Sequence, residues 1–434
     1  MALLYPFQGF RYNLEAVRDL NLVVTQPYDK TTPSMQDAYY LRSPYNAVRI
    51  TLNLEKRENP GTDYAGAGAT FRQWLDQGIL IQDSLPAIYP YYQQYAMEGQ
   101  VILRKGFIAL LELKDFGAGI LPHELTLAAP KQDRLQLLRS LEGNEDLIYM
   151  LYADAERTVN EIMDRSISGR RPVIEVRDEY ETFHRVWSIA DPAALKGIGD
   201  AMLALKLFIA DGHHRFETSV NFMKECEQKG WKPAGPASFD KRLIACFNSA
   251  DGVTILPTHR LIRDLAGFDA GTYLNDIQRH FQVEPAETPE ELWKKMKQGI
   301  HEKVFGFYPA GLKKFFLLRL RKEAFTDPAL MKHGEAYRDL DVSILHALLL
   351  DHYLGIDEGR LAAQSNLDYA RDPEFCVRQV HEGKYQAVFF LNPTTAGQMM
   401  RVASLGERMP QKSTDFFPKL LTGLVFMKMQ IEKM

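Results

Sequence analysis

The chain has 434 residues, 46% hydrophobic and 25% charged, with a formal net charge of -4, a composition that suits a globular protein of two or three domains. The acidic balance and the lack of a long Lys/Arg block argue against binding a nucleic-acid backbone regardless of sequence. Three scattered cysteines (Cys226, Cys246, Cys376) give no disulfide framework or zinc spacing, the start MALLYPFQGFRYN lacks a basic signal-peptide region, and no run of about 18 apolar residues occurs, so a reducing, cytoplasmic setting is expected.

Residues 1–60 read as a small α/β start, with strands at Leu22–Val24 and Asn46–Leu52. Between them, Pro27 ends regular structure and leaves Asp29 on a loop. Asp29, Asn46 and Arg49 are candidates for a pocket rim, although charged loop residues are more often structural. A helix over 64–80 precedes two aromatic-rich strands, Ala87–Tyr95 and Val101–Leu113, joined as a hairpin around Met97-Glu98-Gly99-Gln100. Leu121-Pro122-His123-Glu124-Leu125-Thr126 then forms a loop before a helix over Lys131–Leu141. Glu124 has the chemistry of a general base if held near a hydroxyl, with His123 and Thr126 beside it, and equally that of a loop carboxylate in water.

Strand and helix alternate through Leu147–Tyr152, Ala155–Asp164, Val173–Val176 and His184–Ile189. Asp191 as N-cap and Pro192 at the first helical position start a helix to about Ala204. The stretch on which the functional reading turns comes next. Leu207–Ala210 is a short apolar run fit for a buried strand, Asp211-Gly212 breaks it, and His213-His214-Arg215 opens a helix continued by Phe216, Val220, Phe222 and Met223. A helix N-terminus offers backbone N–H groups and a positive dipole end to an anion. Gly212 lets a ligand approach the backbone, Arg215 brings a guanidinium fork, and Asp211 has the oxygens that Mg²⁺ favours. The structural alternative is that Asp211 only caps the helix and the histidines are surface groups.

After Gly230–Asp240, a loop, comes the buried strand Leu243–Asn248. A change of texture near residue 260 places a domain boundary there: 1–260, then a C-terminal α/β domain over 261–434. Its elements are Ala270–His280, Pro289–Lys297, Val304–Tyr308, Phe315–Leu320, Val342–Tyr353, Pro373–His381 and Ala387–Leu391. Lys412, Ser413 and Thr414 lie in an irregular stretch between Pro410 and Pro418 and carry donors suited to phosphate; the expectation is that the C-terminal domain folds back and completes the pocket with them. No Walker motif or kinase H-R-D and D-F-G pair is present. A carboxylate base and an anion cradle are the minimal equipment for phosphoryl transfer.

The pieces TQPYDK (25–30), SPYNAVRI (43–50), LPHELTLAAPKQDR (121–134), IADGHHRFETS (209–219), ILPTHRLI (255–262) and MPQKSTDFFPKLLTGL (409–424) together resemble a bacterial and archaeal family, the domain-of-unknown-function family ten-fifteen. That family looks related to the ParB/sulfiredoxin-like superfamily and its free serine kinases. The resemblance implies a mixed α/β (α+β) fold, with a ParB/sulfiredoxin-like nucleotide-binding core and an additional C-terminal α/β domain. It implies Glu124 and Asp211 as catalytic residues, and Gly212, His213, His214, Arg215 and Thr126 at the phosphates of a nucleotide, ATP or ADP, with Mg²⁺ at Asp211. Position 30 is Lys where the family more often has an aliphatic residue. The expected activity is phosphoryl transfer to a small, serine-like hydroxyl metabolite. The alternatives are a non-catalytic nucleotide-binding switch and, less fitting because adjacent histidines point apart, a metal or redox protein. The expected partners are nucleotide and small molecule, not a membrane or nucleic acid, and a homo-oligomer is compatible with the sequence.

Overall fold

The computed structural model describes residues 1–59, 62–117, 119–126, 128–363 and 365–433. The chain is mixed α/β and divides into two compact units. One comprises Met1–Pro122, Thr126–Val253 and Pro418–Met434; the other comprises His123–Leu125 and Thr254–Phe417. No described helix is long and apolar enough to cross a membrane.

The first unit is built on a nine-stranded sheet. Its order runs Ile120–Leu121, Leu207–Asp211, Ile148–Tyr152, Lys241–Asn248, Gln100–Glu112, Tyr89–Met97, Phe183–Val186, Ile174–Arg177, with Leu4–Tyr5 pairing Gln100–Glu112. The middle is buried on both sides: Ile148–Tyr152 is buried throughout, as its unbroken apolar run requires. Helices Thr158–Ile167, Pro192–Leu203 and His213–Gln228 pack against the sheet through Val159, Met163, Ile198, Met202, Phe216 and Val220. The Asp191 carboxylate caps its helix by accepting from the Ala194 N–H. The hairpin closes with Met97 opposite Gln100, and Glu98 and Gly99 both take positive φ (48° and 76°), the two-residue turn that matches strand twist.

The opening residues differ from the sequence reading. Leu20–Leu22 is a 3₁₀ turn and Val48–Thr51 a short helix, where strands were expected. Local side-chain bonding overrides the apolar alternation: the Asn46 Oδ1 accepts the Val48 N–H at 2.9 Å, and Asp19 caps the earlier turn at Asn21.

The second unit has a six-stranded sheet in the order Phe281–Ala286, Phe315–Leu320, Val304–Pro309, Ala387–Phe390, His259–Ile262, Leu367–Ala370, antiparallel at every pairing. Helices Pro289–Gln298 and Pro373–His381 bury Leu292, Met296, Cys376 and Val380 in its core.

Candidate functional site

The Leu207–Asp211 strand is buried over its first four residues and runs parallel to Ile120–Leu121 and antiparallel to Ile148–Tyr152. Gly212 follows at φ 97°, and the 16-residue helix His213–Gln228 starts at once. A side chain at 212 would occupy a left-handed conformation and meet the Arg215 guanidinium at 3.0 Å. Gly212 brings no side chain to cap the helix.

Charge around the turn is arranged in pairs. Lys419 Nζ lies 2.7 Å from Asp211 Oδ2, and the Lys419 side chain is only 9% exposed. Arg215 is 7% exposed; it donates to the Leu147 carbonyl at 2.7 Å and to Asp146 at 3.2 Å, and reaches Asp211 at 3.5 Å. Burial alone would raise the Asp211 carboxyl, but Lys419 and Arg215, helped by Lys30, hold it far below the usual carboxylate range. Behind this lies a second layer. Arg242 is paired with Asp146, which burial would raise but which Arg242 and Arg215 keep below its ordinary value. Glu145 next to it is buried and is pushed up to about 7 by that burial and by the Asp146 charge. A cavity of about 20 Å³ is lined by Arg134, Glu145, Asp146, Arg215 and Arg242, among others, room for one water molecule.

Three distant stretches therefore meet within the first unit: the 26–30 loop, the 211–215 turn and the returning C-terminal segment. Arg134 and Arg215 lie 4.2 and 5.9 Å from the Tyr28 ring centre, which fixes the loop carrying exposed Asp29 and half-buried Lys30. The C-terminal segment is tied down by the fully buried Arg104, which donates to the Pro418 carbonyl at 2.6 Å, and by Gln93, which donates to the Lys419 carbonyl at 2.9 Å.

Other candidates fall elsewhere. Thr126 Oγ donates to Glu217 at 2.8 Å, one helical turn beyond His213, where Lys131 also pairs with Glu217 at 2.8 Å. His213 is buried and His214 half-buried. Asn46, expected at a rim, is fully buried and donates to the carbonyls of Leu22 and Val24. Arg49 stacks on Tyr40 and donates to the carbonyls of Tyr40 and Ser43. Glu124, His123, Lys412, Ser413 and Thr414 belong to the second unit. There Glu124 Oε1 accepts the Lys412 N–H at 3.2 Å, and buried His123 shares a hydrogen bond with the Thr414 hydroxyl at 2.9 Å.

Among the described residues no group of three or more His, Cys, Asp or Glu is placed to hold a metal. The Asp211 oxygens face an ammonium and a guanidinium, so this carboxylate does not fit a Mg²⁺ ligand as it stands.

Sequence reading missed Lys419, Glu145 and Asp146. Lys419 had a signal: a lone lysine between Phe416-Phe417-Pro418 and Leu420-Leu421 is placed for burial, and a buried lysine needs a partner. Glu145 and Asp146 stand directly before an apolar strand, where carboxylates enter the core.

The family model described as "Protein of unknown function (DUF1015)" matches residues 4–343. The chain belongs to this family. No curated protein matches it. Among solved structures, it is similar to a conserved hypothetical protein from Pyrococcus furiosus, at 12% identity over 70% of this chain and 89% of the other, with a TM-score of 0.33. A free serine kinase in complex with AMP matches at 14% identity over 69% and 83% of the two chains, TM-score 0.33. SbnI from Staphylococcus aureus, with a C-terminal truncation, matches at 10% over 70% and 82%, TM-score 0.35.

Two outcomes follow from the paired charges. Lys419→Met leaves the half-buried Asp211 with one cation fewer, and should destabilise the protein by about 2 kcal/mol, between the scales of exposed and buried pairs. Adding Asp211→Asn to that variant should restore part of the loss in urea melts; strict additivity of the two changes would contradict a direct pair. The second outcome concerns Glu145, whose folded pKa of about 7 lies above its ordinary value. Its contribution is fully present below about pH 4.5 and is lost as pH rises through about 7, because only the unfolded chain gives up the proton in that window. Glu145→Gln should therefore gain stability relative to the parent from pH 5 to pH 8. A difference that stays constant over that range would show Glu145 ionised in the fold.

Proposed function

We propose that this protein transfers a phosphoryl group from a nucleotide to a small hydroxyl metabolite, with the nucleotide phosphates at the Asp211–Arg215 turn. The observation that supports this most is the passage from a buried strand through left-handed Gly212 straight into a 16-residue helix, with Lys419 and Arg215 held at its mouth. Helix N-terminal N–H groups and fixed cations are what a phosphate needs. Arg215 serves by holding Asp211 and Asp146 in place, since its guanidinium is already bonded to both and to the Leu147 carbonyl. Because the cations are prearranged by neighbours, charge that develops on a transferring phosphoryl group would be met without reorganisation.

In this reading the base is Glu124, in the Pro122-His123-Glu124 segment. In the reaction, the bond from the terminal phosphorus to the bridging oxygen of the nucleotide breaks. A bond to the acceptor oxygen forms, and the acceptor proton passes to the Glu124 carboxylate. A non-catalytic switch would need no such base.

AMP, ADP and ATP, each with and without Mg²⁺, are expected to raise the melting temperature, because a ligand of the native state alone stabilises it. Glu124→Gln should bind nucleotide as the parent does and lose on the order of 10²–10⁴-fold in transfer to small hydroxyl compounds, the span of general-base catalysis. Nucleotide binding with no transfer to any acceptor would favour the switch, and no thermal shift with any nucleotide would refute both.

A further inference from the structure

The second unit contains a cavity of about 680 Å³, within the range of small-molecule sites, that the phosphate turn does not use. Its wall includes His346, Tyr369 and Gln411, and all three touch a buried charge. Arg260 is 1% exposed, yet it meets no carboxylate among the described residues. It donates to the carbonyls of Thr258, of Lys412 at 3.1 Å and of Gln411 at 3.5 Å, and from two nitrogens to His346 Nε2 at 3.3 Å. Its guanidinium stands 5.0 Å from the Tyr369 ring centre. Burial lowers this arginine to about 10, as expected for a cation out of water with no counter-charge.

The neighbours of Arg260 inherit a direction. A guanidinium only donates, so His346 Nε2 must accept, and the imidazole is the neutral tautomer with its proton on Nδ1. That Nδ1–H has no hydrogen-bond partner among the described residues, and His346 lines the cavity. The Tyr369 hydroxyl, on the same wall, is buried and without a hydrogen-bond partner. A buried polar group left in that state normally marks a missing ligand or water. The backbone adds an independent sign: His346 sits in an eight-residue π-helical stretch, Leu345–His352, a rare conformation found mostly at functional sites.

We propose that this cavity binds a small organic carboxylate, whose oxygens accept from His346 Nδ1 and the Tyr369 hydroxyl and whose charge answers the buried Arg260. One uncompensated positive charge behind two neutral donors matches a single negative charge better than a phosphate dianion. The rest of the wall carries Asp351, Asp357 and Glu358 against Lys332 and Arg408, one negative charge in excess, and Glu124 and Asp368 also act on Tyr369, so the wall repels a second negative charge. The site lies wholly in the second unit and stands or falls independently of the phosphoryl-transfer reading.

The test is a thermal-shift and calorimetry series on the full chain with lactate, succinate, 2-oxoglutarate, glutamate and citrate, and with inorganic phosphate as the contrasting arm. At least one carboxylate should bind the parent protein and raise its melting temperature, while phosphate leaves its carboxylate affinity unchanged. Tyr369→Phe should weaken that carboxylate at least tenfold, yet melt, free of ligand, no lower than the parent, because the hydroxyl it removes has no hydrogen-bond partner among the described residues. The proposal is overturned if none of the five carboxylates binds, if phosphate competes for the site, if Tyr369→Phe binds with unchanged affinity, or if that variant melts lower without ligand.

Discussion

Lys419 and Asp211 meet at 2.7 Å where little water reaches them, and the geometry of the candidate site depends on that contact. A lysine in such a place needs a carboxylate, and a carboxylate at the end of a buried strand needs a cation. The pair sets the position of the strand end and, through Gly212, the origin of the following helix. It also explains why the C-terminal segment is fastened so firmly: Arg104 and Gln93 hold the carbonyls of Pro418 and Lys419, so the ammonium arrives at Asp211 from a fixed backbone. The layer behind it works in the same way. Arg215 and Arg242 share Asp146, and with Asp146 charged beside it the buried Glu145 keeps its proton up to about pH 7.

Local signals in the sequence carried much of this architecture. The Asp191-Pro192 helix start, the hairpin at Glu98-Gly99 and the strand, glycine and helix of 207–228 depend on residues adjacent in sequence, and each is found where those residues put it. The 46–52 segment reads as a strand by its apolar alternation, but it forms a short helix whose start the Asn46 side chain bonds at the Val48 N–H. The partners of Asp211 were beyond local reading. Asp146 lies 65 positions earlier and Lys419 more than 200 later, and no pattern of spacing links them. Lys412, expected at the pocket for the donors of Lys412, Ser413 and Thr414 beside Phe416 and Phe417, is exposed, whereas Lys419, flanked by Pro418 and Leu420, is the buried one. Lys30 adds one more positive charge acting on Asp211.

The second unit shows the opposite imbalance. In the first, Arg215, Arg242 and Lys419 each meet a carboxylate; in the second, Arg260 has carbonyls, an imidazole nitrogen and an aromatic face. Those contacts satisfy its hydrogen bonds without cancelling its charge. Arg260 stands at the start of the 259–262 strand, and its partners, His346 and the backbone at 411 and 412, lie far along the chain where no local pattern links them.

The central claim is that phosphate oxygens sit at the start of the His213–Gln228 helix, and a crystal structure of the chain with ADP tests it most directly. The account predicts the terminal phosphate within hydrogen-bond distance of the backbone N–H groups of His213 or His214, with Lys419 still at Asp211. ADP bound elsewhere while this turn stays unchanged would contradict it.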